Sequence, residues 1–239
     1  MDIGANIGLY TLLSAKLNRT VIAVEPLHEN LNRMHKAAQL EHVENRIIAL
    51  VNAVSNERKP LKVSIVDNNI GGSYVLQPEI IDKQQKYSLT SSSVIVNSIL
   101  LDDLVDVYKL KVLKSNKSMS RKFVVKLDIE GYEPFVFEQS KNFFETLEIV
   151  AIFMEWGKMM EKLENLGLNE SDSELKSSYL NKIKSMIRKL QGLNYEPYEV
   201  NGFNKLEYNK WEKEWPWDVF FRNCDLTNCP GHVYKLSGV

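Results

Sequence analysis

The chain has 239 residues, 44% hydrophobic and 26% charged, with a formal net charge of −1. That length suits one large domain with a sizeable core, and the near-neutral balance gives no bulk electrostatic reason to expect nucleic-acid binding. No apolar run reaches the ~18–20 residues that would span a bilayer, and no signal peptide is visible.

The opening stretch MDIGANIGLYT reads as the end of a strand, a tight glycine turn and the start of a helix. Asp2, Gly4 and Gly8 mark the turn. Glycine allows positive φ and close approach of a ligand, and the following helix N-terminus favours an anionic group. Asn6 occupies the second glycine position of the dinucleotide fingerprint, which makes that fingerprint a poor fit. An acid ahead of Gly4 would repel a pyrophosphate. It suits S-adenosylmethionine, which carries an ammonium and a sulfonium, better than a nicotinamide dinucleotide. A plain glycine turn without a ligand is the alternative reading. Only Met1 precedes Asp2, so the first strand reads as clipped, as in a fragment or a gene model begun at an internal methionine. A missing N-terminal region could have held a signal, a membrane anchor or a capping element.

Leu9, Leu12, Leu13 and Leu17 mark one face of the first helix. The run Val21 to Pro26 is a short apolar strand ending in Glu25. An acid there hydrogen-bonds ribose hydroxyls in nucleotide-binding α/β folds, about 20 residues after the glycine turn; a solvated strand end is the plainer reading. Leu27, Leu31, Met34 and Ala38 predict the second helix. His28, His35 and His42 recur every seven residues on a face expected to be solvated. Ile47 to Val51 predicts a third strand, ending at Asn52-Ala53. Leu61 to Val66 predicts an edge-like strand, 67–93 a loop with Gly71-Gly72, and Val94 to Leu101 a strand leading to Asp102-Asp103.

After a polar loop over 114–122, Phe123 to Leu127 is the next strand. It runs into Asp128-Ile129-Glu130-Gly131-Tyr132-Glu133, with Pro134 placed to start a helix. Three carboxylates just beyond a strand's carboxyl end lie where open α/β sheets bind ligands. They could hold a divalent cation, supply a general base near a substrate hydroxyl, or be structural, with Glu133 favouring a helix N-terminus. If extended geometry persists, Asp128 and Glu130 share one side. So close a pair needs a cation, a donor-rich substrate or a proton on one raised carboxyl.

Ile149 to Met154 reads as a buried central strand. Leu175, Tyr179, Ile183, Met186, Ile187 and Leu190 predict a helix over 171–191, capped by Ser171 with Glu174 and stopped at Gly192. Tyr195 to Val200 and Asp218 to Arg222 read as a closing pair of strands, with Trp211, Trp215 and Trp217 between them. With no internal repeat and no linker, residues 1–239 read as one domain, with 223–239 as a C-terminal tail. Cys224 and Cys229 could form a local disulfide, or half of a zinc site lacking further ligands. Asn18-Arg19-Thr20, Asn116-Lys117-Ser118 and Asn169-Glu170-Ser171 match the glycosylation pattern, which leans the expected compartment towards the secretory pathway or a membrane-anchored protein rather than the cytoplasm.

Five blocks occur in order: Asp2 to Gly8, Val24-Glu25-Pro26, Asn52 to Ser55, Leu101 to Leu104, and Lys126 to Glu133. In these the chain resembles an FkbM-type class I S-adenosylmethionine-dependent methyltransferase over roughly residues 1–222. The resemblance implies an α/β, Rossmann-like, seven-stranded, mostly parallel sheet with its last strand antiparallel and helices on both faces. It implies O-methylation of a hydroxyl on a sugar or natural-product-like acceptor, a small molecule or glycan. Asp2, Gly4, Asn6 and Gly8 would then contact the methionine part of the cofactor, Glu25 the ribose, and Asn52 and Ala53 the adenine. Asp128 and Glu130 would be catalytic, one of them as the base, and a divalent metal beside them stays open. A nicotinamide-dependent oxidoreductase is disfavoured by Asp2 and Asn6; a non-catalytic module of the same fold remains an alternative.

Overall fold

The computed structural model of the chain describes residues 1–65, 74–75, 93–113, 121–166, 173–227 and 229. The four apolar residues Val21–Val24 (β2) are all buried, because this strand lies inside a sheet covered on both faces. Its parallel neighbours are β1 (Asp2–Ile3) and β3 (Ile47–Leu50). β1 pairs in parallel with β8 (Lys122–Leu127), and β8 with β9 (Glu148–Glu155). β11 (Asp218–Asn223) runs antiparallel to β9, and β10 (Tyr195–Glu199) antiparallel to β11. The order is β10-β11-β9-β8-β1-β2-β3. This is the expected seven-stranded Rossmann-like sheet, with β11 the reversed strand. β1 has two residues. It is anchored by the Met1 ammonium on the Val124 carbonyl at 2.7 Å and by the Lys126 N–H on the Met1 carbonyl at 3.0 Å.

Alternation along β2 divides the core. Ile22 and Val24 face the larger cluster, with Leu104, Val136, Phe143 and Ile183. Val21 and Ala23 face α1 (Leu9–Lys16) and α2 (His28–Leu40) through Ala15, Met34 and Ala38. The expected leucine face of α1 is not its buried face. Thr11 and Ala15 point inward, while Leu9, Leu13 and Leu17 are more than half exposed. Beside α1, a groove of about 1240 Å³ opens along β8, β9 and β11, walled in part by Tyr10, Val124, Phe153 and Glu155.

The runs around 61–66 and 94–101 pair with each other rather than joining the main sheet. β4 (Ala53–Val54), β7 (Ser93–Ile99), β5 (Pro60–Ser64) and β6 (Tyr74–Val75) form a second sheet in the order β4-β7-β5-β6. Asn52-Ala53 therefore does not end the third strand: β3 stops at Leu50, and Ala53 opens β4.

On the larger-core side lie α3 (Asp103–Val107), α4 (Glu133–Val136), α5 (Lys141–Thr146), α6 (Trp156–Asn165) and α7 (Ser173–Gly192). Gly192 is the last helical residue, not the stop; the left-handed turn falls on Asn194, at φ 58°, the other residue type that tolerates it. Pro134 stands at the start of α4 as expected. The capping Ser171, the Gly71-Gly72 pair, Asn116 and Asn169 lie outside the described residues. No helix among the described residues is long and apolar enough to cross a membrane.

Candidate active site

The first turn is built by Gly4, at φ 79°. Its N–H and that of Ala5 both donate to the Val24 carbonyl, at 2.9 and 3.0 Å. A Cβ on Gly4 would stand 1.8 Å from the Asp128 carbonyl oxygen. Glycine is thus required both by the dihedral and by the approach of the acidic turn. Asn6 is also left-handed, at φ 52°, and its N–H donates to Glu25 Oε2 at 2.9 Å. The turn and the acid after β2 are therefore one hydrogen-bonded unit. Gly8 caps α1 and packs on Met34.

Glu25 is buried. Oε1 also accepts the Leu27 N–H and the Asn30 amide, both at 3.1 Å. Burial pushes its carboxyl above the usual range, against those three hydrogen bonds, which pull it down. Three of roughly four acceptor positions are occupied by the protein, leaving capacity for one ligand donor. Asp2 is buried too. Its Oδ2 accepts the Thr11 hydroxyl at 2.6 Å, while Oδ1 has no hydrogen-bond partner and lies 3.8 Å from Lys126 Nζ.

Gly4, Asn6, Glu25, Asn52, Asp128 and Glu130 open on one cleft of about 170 Å³. Ala53, Val54, Val63 and Val75 give it an apolar wall drawn from the second sheet. Seven of the nine expected site residues line this cleft. Asp2 and Gly8 stand behind it, bonded to Thr11 and packed on Met34. The amide of Asn52 is engaged with the Asn97 carbonyl at 3.1 Å. His28, His35 and His42 are exposed, as expected.

Asp128 leaves β8 with its N–H on the Ile3 carbonyl at 3.0 Å. The chain then turns instead of staying extended: Glu130 takes φ 58° and Gly131 φ 80°. The expected i, i+2 alternation therefore does not bring Asp128 and Glu130 together; the turn does. Glu155, at the end of β9, completes the group, and the three carboxylates offer oxygens within 4.8 Å of one another. Lys126 Nζ reaches Asp128 at 2.9 Å, and Lys158 Nζ stands 3.9 Å from Glu130 and 3.1 Å from Glu161. Burial, and then the nearby Glu155 charge, push the Glu130 carboxyl up to about 7. Glu155 is also raised, by burial first, although the Trp217 indole N–H donates to its Oε1 at 2.6 Å and opposes the shift. Such a set can take up a proton, or supply oxygen ligands to a divalent cation.

Glu133 is fully buried, and its Oε1 accepts the Ile129 N–H at 2.9 Å. The Tyr179 hydroxyl donates to the Gly131 carbonyl at 2.7 Å. Both hold the acidic turn from below. Lys126, Glu155, Lys158 and Trp217 are the site neighbours that the sequence reading missed. Glu155 carried a usable signal: it ends β9 as Asp128 follows β8, on the same carboxyl edge.

No curated protein and no solved structure matches the chain. A family model described as the methyltransferase FkbM domain matches residues 2–197. That span contains the glycine turn, Glu25, the acidic turn and Glu155, and the chain belongs to the FkbM methyltransferase domain family.

Proposed function

We propose that the protein is an S-adenosylmethionine-dependent O-methyltransferase, acting on a hydroxyl of a sugar or a small natural-product-like acceptor. The observation that carries this reading is the shared cleft: the glycine turn, Glu25 and the two acids after β8 all open on it. The residues fit the cofactor. Asp2 stands behind the cleft, its buried Oδ1 3.8 Å from the Lys126 ammonium, and backs the glycine turn that would face the methionine part of the cofactor. Glu25 keeps one acceptor position for a ribose hydroxyl, and Ala53, Val63 and Val75 form an apolar wall for a flat base.

Bound S-adenosylmethionine supplies the methyl group as an electrophile. The chain's own residues take the acceptor's proton and fix its oxygen in place. Asp128 or Glu130 accepts that proton at a carboxylate oxygen, while Lys126 and Lys158 limit the repulsion among the acids. Holding the acceptor oxygen in line with the transferring methyl is a proximity effect that can supply several kcal/mol. The disulfide between Cys224 and Cys229 and the exposed sequon at Asn18 support an oxidising, secretory compartment.

Titration calorimetry with S-adenosylhomocysteine tests the reading. One molecule should bind per chain, and Glu25→Ala should weaken binding by about 1–3 kcal/mol through lost charge-assisted hydrogen bonds. A folded protein that binds none would overturn it.

A further inference from the structure

Trp217 differs from the other tryptophans. Trp156, Trp211 and Trp215 are buried in the core, whereas Trp217 is 49% exposed. It is nevertheless fixed at two points. Its indole N–H donates to Glu155 at 2.6 Å, and its carbonyl accepts the Gly157 N–H at 2.9 Å. Gly157 is the residue that lets the ring lie there, since a Cβ would stand 2.1 Å from the indole. Helix α6 thus begins with a clearance shaped to an aromatic ring that the core does not use. One exposed aromatic is ordinary by itself; this one is set apart by being held rigid against a carboxylate of the acidic group.

The position says what covers it. Glu155 lies within 4.8 Å of Asp128 and Glu130, and both of those open on the cofactor cleft. Trp217 is thus bonded directly to Glu155, the acid of the three that adjoins it. An indole face is electron-rich and meets the weakly positive C–H bonds of a saturated ring. Carboxylates accept hydrogen bonds from hydroxyls. A ring with C–H bonds on one face and hydroxyls at its edge satisfies both, as a pyranose does. A cationic ligand fits less well, because the Lys158 ammonium already stands 5.8 Å from the indole centroid.

Resting on the methyl-transfer reading, we propose that Trp217 and Glu155 form the acceptor platform: the open indole stacks on the C–H face of a pyranose-type ring, and Glu155 accepts one of its hydroxyls beside Asp128. Trp217 is then a specificity-determining residue, and Glu155 both orients it and contacts the acceptor.

Saturation-transfer-difference NMR on the full chain tests this, with and without S-adenosylhomocysteine. The probes are the methyl glycosides of glucose, galactose, mannose and fucose, with choline as the cationic control. At least one glycoside should receive saturation on its ring C–H protons. Trp217→Ala and Glu155→Ala should each reduce that transfer at least fivefold, and Trp217→Phe should retain about half of it. Binding of S-adenosylhomocysteine should stay within twofold in all three variants, which also reports that they are folded. If the cofactor analogue binds but no glycoside receives saturation, or Trp217→Ala leaves the transfer unchanged, the platform is wrong and the methyl-transfer reading stands. Transfer to choline alone also overturns it. Loss of analogue binding in the wild-type chain, with glycoside transfer still dependent on Trp217, would instead overturn the methyl-transfer reading and leave the platform.

Discussion

Glu133 Oε1 accepts the backbone N–H of Ile129 at 2.9 Å, from a side chain with no exposed surface. That bond closes the turn carrying Asp128 and Glu130, so Glu133 is a positioning residue rather than a contact for substrate. Burial pushes its carboxyl up to about 8. Burial likewise pulls the neighbouring Lys162 ammonium down to about 8, so near pH 7 Glu133 holds its proton while Lys162 keeps most of its charge.

The first prediction follows from that bond. Glu133→Ala leaves the Ile129 N–H without its partner and should cost about 1–3 kcal/mol. Glu133→Gln keeps an acceptor and should cost less. Because the folded carboxyl lies above its ordinary 4.5, the folded state holds the proton more tightly. Wild-type stability therefore falls as pH rises from 4.5 to about 8. The Gln variant lacks that contribution, so its stability relative to wild type should improve between pH 5 and pH 8. Urea unfolding at the two pH values measures this, and parallel pH slopes would refute it.

A second prediction concerns Lys126, which stands 3.8 Å from buried Asp2 and 2.9 Å from Asp128. Lys126→Met keeps most of the stem and removes the cation, leaving two acids without their shared partner. It should destabilise by about 1–3 kcal/mol, since breaking a partly buried pair leaves an uncompensated charge. Lys126→Arg, which keeps a cation beside both acids, should lose much less. Equal losses in the two variants would show that packing of the stem, not charge, is what matters.

The third concerns Cys224 and Cys229, which are joined by a disulfide with Cα atoms 5.3 Å apart. The closed loop is short, so the chain-entropy gain is about 2 kcal/mol. Replacing both cysteines by serine should lower the thermal midpoint. Reduction with dithiothreitol should bring the wild type to the same value. A wild type unaffected by reductant under conditions that free both thiols would show the bridge contributes nothing.

Local chemistry made much of this molecule readable in advance. The glycine turn, Glu25 after β2 and the acids after β8 each announce themselves within a few residues, and apolar runs gave the main-sheet strands. What escaped depends on partners far along the chain. Leu61 and Val96 are cross-strand neighbours 35 residues apart in the second sheet, and neither run says which sheet it will join. Trp217 meets Glu155 across 62 residues. The leucines of α1 misled because periodicity identifies a stripe, not what covers it; Thr11 is the buried residue because Asp2 takes its hydroxyl. Glu130 escaped extended geometry because Gly131 and Glu133 allow and lock a turn there.

The fourth prediction separates the roles of Asp128 and Glu130. Asp128 is held by Lys126, while burial and Glu155 raise Glu130 to about 7. A general base works best with a pKa near the working pH, and a carboxyl at about 7 is half ionised there. If Glu130 takes the acceptor's proton, turnover should rise between pH 6 and pH 8, and Glu130→Gln should flatten that limb while lowering turnover about 10²–10⁴-fold. Asp128→Asn should lower turnover far more than it weakens S-adenosylhomocysteine binding. In Asp128→Asn the nearest charges left on Glu130 are Glu155, Glu161 and Lys158; with one acid fewer, the pH limb should move to lower pH. A metal held by the three carboxylates would instead make turnover sensitive to EDTA and would erase the limb near pH 7, because a bound cation holds carboxylates ionised. Initial rates of both variants across pH, with and without EDTA, decide between the two. An Asp128→Asn enzyme at full turnover would make that residue structural.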